Sequence, residues 1–405
     1  MTPTVEIKEL EEKLIAELEE NLTGKDLIWR QKSRELWLKE GDRNTKFFHL
    51  STVVRRSSNR IAAIKDNNGD WVQDYQGMGN YFLKNFQELF NTSHPDIPDD
   101  MEELINQVIS QEENESLTRI PDDQEILTAL NSIPNLKAPG PDGIPSLFYK
   151  HYGETVKPFL LSAVKSFFHS NHILKEWNNT FICLIPKRQG AATFKDFRPI
   201  SLCNVNYKVI SKIIANRLKP LLHKIISPNQ TAFIEGRWIN ENGLLAQEIL
   251  HTMRNTKARR GWIGMKIDFM KAFDKLEWNF IVKILQQLGF HPTFISWIYQ
   301  CVSTSTFSIL LNGSPHGHFS PSRRLRQGDP ISPYLFVISM EILSRLLYRA
   351  ETNGEIKGIQ ISRGGPQITH LMFADDLLIL TKATEANIRT TKSILDKFCA
   401  WSGQE

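Results

Sequence analysis

Only four cysteines occur in the 405 residues, Cys183, Cys203, Cys301 and Cys399, and none stands at a spacing that a zinc knuckle or a disulfide framework requires. That scarcity fits a reducing compartment. No stretch approaches the roughly 18 apolar residues of a membrane span, and no basic start leads into an apolar run at the N-terminus. The expected location is intracellular, nucleus or cytoplasm, with no signal peptide or transmembrane segment. Arg55-Arg56 is too short to serve as a nuclear address. Internal repeats and low-complexity tracts are also missing. With 41% hydrophobic residues, the chain can bury a sizeable core in two or three packed units.

A net charge of +4 is too small to name a partner, but its distribution is uneven. Between Lys25 and Arg60 there are ten Lys or Arg against four Asp or Glu, interleaved with Trp29, Trp37, Phe47 and Phe48. Such a segment suits a phosphate-and-stacking surface, with Arg30, Lys32, Arg34, Arg43 and Lys46 as candidate nucleic-acid contacts. It equally suits an amphipathic helix whose aromatics face a core. From Asp96 to Asp123 the balance inverts, with ten acidic residues and one basic, and prolines at 95, 98 and 121. This stretch is expected to be a largely exposed connector holding a short helix.

The most informative segment is Thr369-His-Leu-Met-Phe-Ala-Asp-Asp-Leu-Leu-Ile-Leu380, in which Asp375 and Asp376 separate two short apolar runs. Each run suits a buried strand, which puts the acids at a hairpin turn where carboxylates can hold a hard cation. Alone, an Asp-Asp pair reads as a solvated turn. A companion reverses that reading. In Gly261-Trp-Ile-Gly-Met-Lys-Ile-Asp268-Phe-Met-Lys-Ala-Phe273-Asp274, an alternating strand ends in an acid before a helix expected near Leu276, with Asp274 available to cap it. Beside the hairpin, Asp268 would complete three converging carboxylates, as a two-metal phosphoryl-transfer site requires. Leu325-Arg-Gln-Gly-Asp-Pro-Ile-Ser-Pro333 reads as a substrate-facing loop before an apolar helix at 334–349.

Further elements follow from periodicity and breakers. Helices are expected at 5–22, 81–90, 145–168, 206–226, 240–253 and 384–401, with strands at 181–185, 304–312 and 318–325. The Pro and Gly spacing of Ala138-Pro-Gly-Pro-Asp-Gly143 demands an irregular loop.

Together these segments resemble the palm of reverse transcriptases, with Asp268 in motif A, Arg326-Gln-Gly in motif B and Phe373-Ala-Asp-Asp in motif C. Four upstream stretches are similar to the non-LTR retrotransposon branch, especially plant LINE-type members. They are Lys137-Ala-Pro-Gly-Pro-Asp-Gly-Ile-Pro145; Leu184-Ile-Pro-Lys187 with Phe197-Arg-Pro-Ile-Ser-Leu202; Pro228-Asn-Gln-Thr-Ala-Phe233; and Trp29-Arg-Gln-Lys-Ser-Arg34 running into Gly41-Asp-Arg-Asn-Thr-Lys-Phe-Phe-His49.

The resemblance implies an α+β fold of right-hand polymerase type. It comprises a helical, basic-aromatic extension (1–92), the acidic connector (93–124), fingers (125–260) and a palm (261–405) whose antiparallel sheet is backed by helices. Only 29 residues follow Asp376 (405 − 376), so no thumb is expected. The implied activity is RNA-directed DNA polymerisation. Asp268, Asp375 and Asp376 would bind two Mg²⁺ (Mn²⁺ as a substitute), and the partners would be an RNA template, a DNA primer and dNTPs. Phe273 would be the aromatic gate against a 2′-hydroxyl, Lys187 and Arg198 would clamp the triphosphate, and Gln327 and Gly328 would line the nucleotide pocket beside Arg326. Two rivals remain in view. An RNA-dependent RNA polymerase is opposed by Phe273, Phe373-Ala374 and Arg326-Gln-Gly. A catalytically silent nucleic-acid-binding remnant would bind without extending.

Overall fold

The computed structural model describes residues 5–33, 45–97, 99–255, 261–362 and 364–405. In chain order its first elements are helices α1 (Val5–Ser33) and α2 (Thr45–Asn59), strands β1 (Ile64–Lys65) and β2 (Trp71–Val72), and helix α3 (Tyr75–Leu89). Helices α4 (Gln111–Thr118), α5 (Asp123–Ser132), α6 (Ser146–His151) and α7 (Gly153–Ser170) lead to strands β3 (Asn179–Pro186) and β4 (Phe197–Cys203). Helices α8 (Val205–Leu218), α9 (Leu222–Ile225) and α10 (Ile239–Asn255) follow, then β5 (Trp262–Asp268), α11 (Ala272–Lys275), α12 (Trp278–Gln287) and α13 (Pro292–Ser303). The chain continues through β6 (Thr306–Leu311), β7 (Ser314–Phe319), α14 (Ser332–Thr352), β8 (His370–Phe373), β9 (Asp376–Lys382) and α15 (Glu385–Ser402).

Two compact units result. One comprises Met1–Met78, Ile185–Arg198 and Leu311–Ser314, and the other the remainder. In the smaller unit, α1 and α2 meet where Trp29 packs edge-on against His49 at 4.3 Å between ring centroids, and Phe48 is buried. Trp29 and Phe48 are thus engaged in packing. Trp37 lies outside the described residues. A tight hairpin joins β1 to β2, where the Asp66 carboxylate accepts from the N–H groups of Asn68 and Asp70, both at 2.9 Å.

The larger unit is built on one continuous apolar core. Helix α14 lies at its centre with two thirds of its residues buried, including Leu335, Phe336, Leu343 and Leu347, and α8, α12, α13 and α15 contribute to the same cluster. Each such Leu or Phe removed from water contributes about 1.5–3 kcal/mol. Helix α8 ends at Leu218 because Pro220 cannot supply the next N–H, so the helix expected over 206–226 becomes two pieces joined by a tighter turn. The helix expected over 145–168 is likewise interrupted at Tyr152.

The acidic stretch is not an exposed connector. Met101, Ile105, Ile109 and Leu117, from a turn at Asp99–Leu104 through α4, are buried in the main core, whereas Glu103, Glu112 and Glu115 are exposed. Apolar residues four apart seat the segment despite its charge.

Two sheets matter for function. One has the order β4-β3-β6-β7, with β3 and β6 parallel and Ile182 opposite Ile309. Strand β7 stops at Phe319, short of the expected 318–325, and Arg323, Arg324 and Leu325 instead turn into the interior. The other sheet, β5-β9-β8, is antiparallel throughout. Leu377 and Ile379 on one face join the main core, whereas Leu371 and Leu380 join a smaller cluster with Ile249 of α10.

Candidate active site

Strand β9 is central in its sheet, and its first residue is Asp376. The β5–β9 register runs unbroken from Trp262 opposite Lys382 to Asp268 opposite Asp376. Directly opposed residues share a face with Cβ atoms about 4.5–5.5 Å apart, so the two carboxylates project from the same edge. Asp375 lies in the two-residue turn between Phe373 and Asp376, which are themselves paired. The strand ending at Asp268 and the hairpin bearing Asp376, 108 residues apart in sequence (376 − 268), are thus brought side by side.

Both Asp268 and Asp376 are exposed, while Asp375 is half-buried. Burial first, and then the charges of Asp376 and Asp268, push the Asp375 carboxyl above its usual range. Lys266, two residues before Asp268 on the same strand face, pairs with the Asp376 carboxylate at 3.0 Å, and that contact raises the Lys266 ammonium. Among the described residues no three His, Cys, Asp or Glu side chains are close enough to hold a metal ion. The donor set nevertheless fits hard cations: all-oxygen ligands, surplus negative charge, and one carboxylate already partly answered by an ammonium.

After Asp268 the backbone reverses through Lys271 in the left-handed region (φ 53°) into the single turn α11. The expected helix start near Leu276 resolves into this turn and then α12 from Trp278, whose N-cap position is Glu277. Asp274 is no cap. Its carboxylate is buried 3.4 Å from the Arg324 guanidinium, which also stacks on Phe90 at 3.9 Å, and burial lowers Arg324 to about 10. Phe273 is half-buried, its ring stacked on Phe336 at 4.3 Å and 13°, and its carbonyl accepts from the N–H of Leu325 at 2.7 Å. The gate candidate is therefore tied to motif B.

Within motif B, Arg326 departs from expectation. It is 3% exposed and turned inward, not toward a substrate. Its guanidinium donates to the Asn178 side chain (2.6 Å), Thr180 Oγ1 (3.2 Å) and the Cys301 carbonyl (2.8 Å), pairs with Asp329 at 3.1 Å, and lies 3.9 Å over the Tyr207 ring. Asp329 in turn accepts from Tyr207 at 2.5 Å and from Ser211. Every charge in this knot is answered within the chain. The next two residues do face outward: Gln327 is half-buried and Gly328 exposed. The Gln327 carbonyl accepts from the Ser201 N–H at 2.9 Å. Gly328 has φ 109°, and a Cβ there would stand 3.0 Å from the Ser201 carbonyl, so glycine is required.

The remaining candidates belong to the smaller unit. Lys187 and Arg198 are both exposed, and the Lys187 N–H donates to the Asp196 carbonyl at 2.8 Å, which brings the end of β3 to within two residues of Arg198. The side chains of Arg30, Lys32 and Lys46, and the whole of Arg34 and Arg43, lie outside the described residues.

Two residues near the acids carry no role in the sequence reading. Lys266 could have been found from its i−2 relation to Asp268, since alternate strand residues share a face. Gln230 sits in the quoted Pro228–Phe233 stretch without an assigned task, yet it contacts Ala374, the residue before Asp375. Ala374 has φ 55°, a conformation that costs an L-residue about 1–2 kcal/mol and needs outside support.

Comparison with known proteins follows the same lines. Residues 185–405 match the family described as reverse transcriptase (RNA-dependent DNA polymerase). The chain is 26% identical over 353 residues to the transposon TX1 uncharacterized 149 kDa protein of Xenopus laevis, covering 87% of this chain and 26% of that protein. It is 29% identical over 251 residues to a retrovirus-related Pol polyprotein from a type-1 retrotransposable element R2 of Nasonia vitripennis, covering 61% and 23%. For the counterpart from Popillia japonica the figures are 28% over 249 residues, 60% and 32%. The chain spans about a quarter to a third of the length of these curated relatives.

Proposed function

The chain belongs to the reverse transcriptase family, in its non-LTR retrotransposon (LINE-type) branch, and from that premise we propose that it extends a primer 3′-hydroxyl with dNTPs on an RNA template. The observation that carries the proposal is the register that sets Asp268 opposite Asp376, beside the turn bearing Asp375. In this reading β5, β8 and β9 form the palm sheet, and Asp268, Asp375 and Asp376 hold two Mg²⁺. When bound, the ions supply Lewis-acid charge that eases deprotonation of the primer hydroxyl and neutralises the leaving pyrophosphate.

The chain's own residues do the positioning. Phe273, braced by Phe336 and held through its carbonyl by Leu325, presents a ring edge where a ribose 2′-oxygen would clash. Gln327 and Gly328 offer an amide and an open backbone to the nucleotide, and Arg326 fixes their turn from inside without touching it. Lys187 and Arg198 are cations suited to a triphosphate. Arg30, Lys32, Arg34, Arg43 and Lys46 are assigned to nucleic-acid backbone contacts, which makes that binding salt-dependent.

The test is Mg²⁺-dependent dNTP extension of a primed RNA by the purified chain, beside the double variant Asp375→Ala, Asp376→Ala. Extension should fall by at least about a thousandfold in the variant, as for loss of a major electrostatic element. Binding of primer-template with no extension by the intact chain would instead favour a silent nucleic-acid-binding remnant. In the same assay Phe273→Val should improve ribonucleotide use relative to dNTPs by roughly 10- to 200-fold, the range a single steric contact commands. Unchanged selectivity would remove Phe273 from the gate.

A further inference from the structure

We infer that Gln230 is the positioning residue for the acidic turn, holding Asp375 and Asp376 where they can share a divalent cation; this rests on the metal-binding reading above. The side chain is 1% exposed and both ends of its amide are used. Its Oε1 accepts from the N–H of Ala374 at 2.9 Å and from that of Ala232 at 3.0 Å, while its Nε2 donates to the Ala374 carbonyl at 3.3 Å. One side chain thus grips donor and acceptor of the single residue whose left-handed backbone turns the chain toward Asp375.

The backbone around Gln230 explains its reach. Residues 229–231 lie alongside β8 as a short parallel edge: the Met372 N–H donates to the Asn229 carbonyl at 2.9 Å and the Thr231 N–H to the Met372 carbonyl at 3.2 Å. Asn242 of α10 donates to both the Asn229 and Met372 carbonyls, at 2.9 and 2.8 Å, and closes this edge. The ladder ends there, two residues short of Ala374, and the Gln230 amide spans the gap. Mutual repulsion of the carboxylates works to open the turn, and the Gln230 side chain bonds to both peptide groups of Ala374.

A primary amide meets both requirements while staying uncharged at every pH. Glu at this position could accept but, ionised, not donate, and Met could do neither while keeping the volume. Supports one step behind a metal ligand typically alter affinity by about 10- to 100-fold.

The decisive measurement is Mn²⁺ affinity of the full chain, read from the electron paramagnetic resonance signal of free Mn²⁺, for wild type, Gln230→Met, Asn242→Ala and the Asp375→Ala, Asp376→Ala double variant. Hydrogen exchange of the Ala374 amide is followed in parallel. Gln230→Met should weaken Mn²⁺ binding at least about tenfold and release the Ala374 amide. Asn242→Ala, which cuts the neighbouring structural tie and spares the clamp, should stay within about twofold. Wild-type affinity in Gln230→Met with a freely exchanging Ala374 amide would overturn the inference while leaving the metal site intact. Equal loss in Asn242→Ala would also overturn it, reducing Gln230 to general support. Should wild type show no Mn²⁺ binding that the double variant abolishes, the metal reading itself fails and takes the inference with it. If Gln230→Met does not fold, Gln230→Ala, which removes the amide without adding charge or bulk, carries the same comparison.

Discussion

The chain contains two clusters of charge with opposite characters. Around Arg326, one buried cation meets one buried anion, and each remaining valence is taken by Tyr207, Ser211, Asn178, Thr180 or the Cys301 carbonyl. Around Asp375, the carboxylates of Asp268 and Asp376 share a sheet edge beside the turn that bears Asp375, Lys266 pairs with Asp376, and burial raises the Asp375 carboxyl above its usual range. A cluster that answers its own charges is architecture, because burial of an unpaired charge would be far costlier. A cluster left in surplus at the surface is what the proposed cation site calls for. The contrast separates residues of the same family signature: Arg326 holds its loop from within, while Asp268 and Asp376 are exposed and Asp375 half-buried, as the cation site proposed above requires.

Removing one partner from the self-answered cluster should have the largest effect. Arg326→Ala leaves Asp329 buried without its countercharge and should cost about 3–5 kcal/mol in urea unfolding. A cost below about 1 kcal/mol would break the comparison. His370 offers a pH-controlled version. It is buried, bonded to Ser344 at 2.7 Å and Thr369 at 2.9 Å, and burial lowers its pKa to about 3. The folded state keeps it neutral while the unfolded state protonates near pH 6.5, so its contribution is complete above about 6.5 and declines as pH falls toward 3. The loss should approach about 1.4 kcal/mol per pH unit. His370→Gln should flatten that slope; an unchanged slope would assign the acid sensitivity elsewhere. The smallest effect sharpens the other side. In Mg²⁺-free buffer at neutral pH, Asp375→Asn should stabilise the chain by a few tenths of a kcal/mol through relief of repulsion. In saturating Mg²⁺ the wild type should regain the lead, and a ranking indifferent to Mg²⁺ would count against the site.

Elements with a strong repeat were legible in the sequence. The helix expected over 384–401 is α15, Glu385–Ser402, and the strand ending at Asp268 and the Asp375 hairpin lie where alternation put them. What was hidden depended on distant partners. Nothing local to Arg326 announces Asn178, Thr180 or Cys301, so its charge looked outward. Net charge obscured the fourfold spacing of Met101, Ile105 and Ile109, and Asp274 read as a helix cap because its ion pair with Arg324 spans 50 residues (324 − 274).

The antiparallel register at Asp268 and Asp376 also has a kinetic meaning. Its partners are 108 residues apart (376 − 268), so closing it requires a long loop whose entropy is met only once intervening helices have packed. Helices α12, α13 and α14, all within that loop, can condense from nearer contacts first. On that ordering the repelling acids would meet late, after the structure able to bear their repulsion, and slowed refolding of a variant destabilised in α14 but not of one destabilised at the β5–β9 pairing would bear it out.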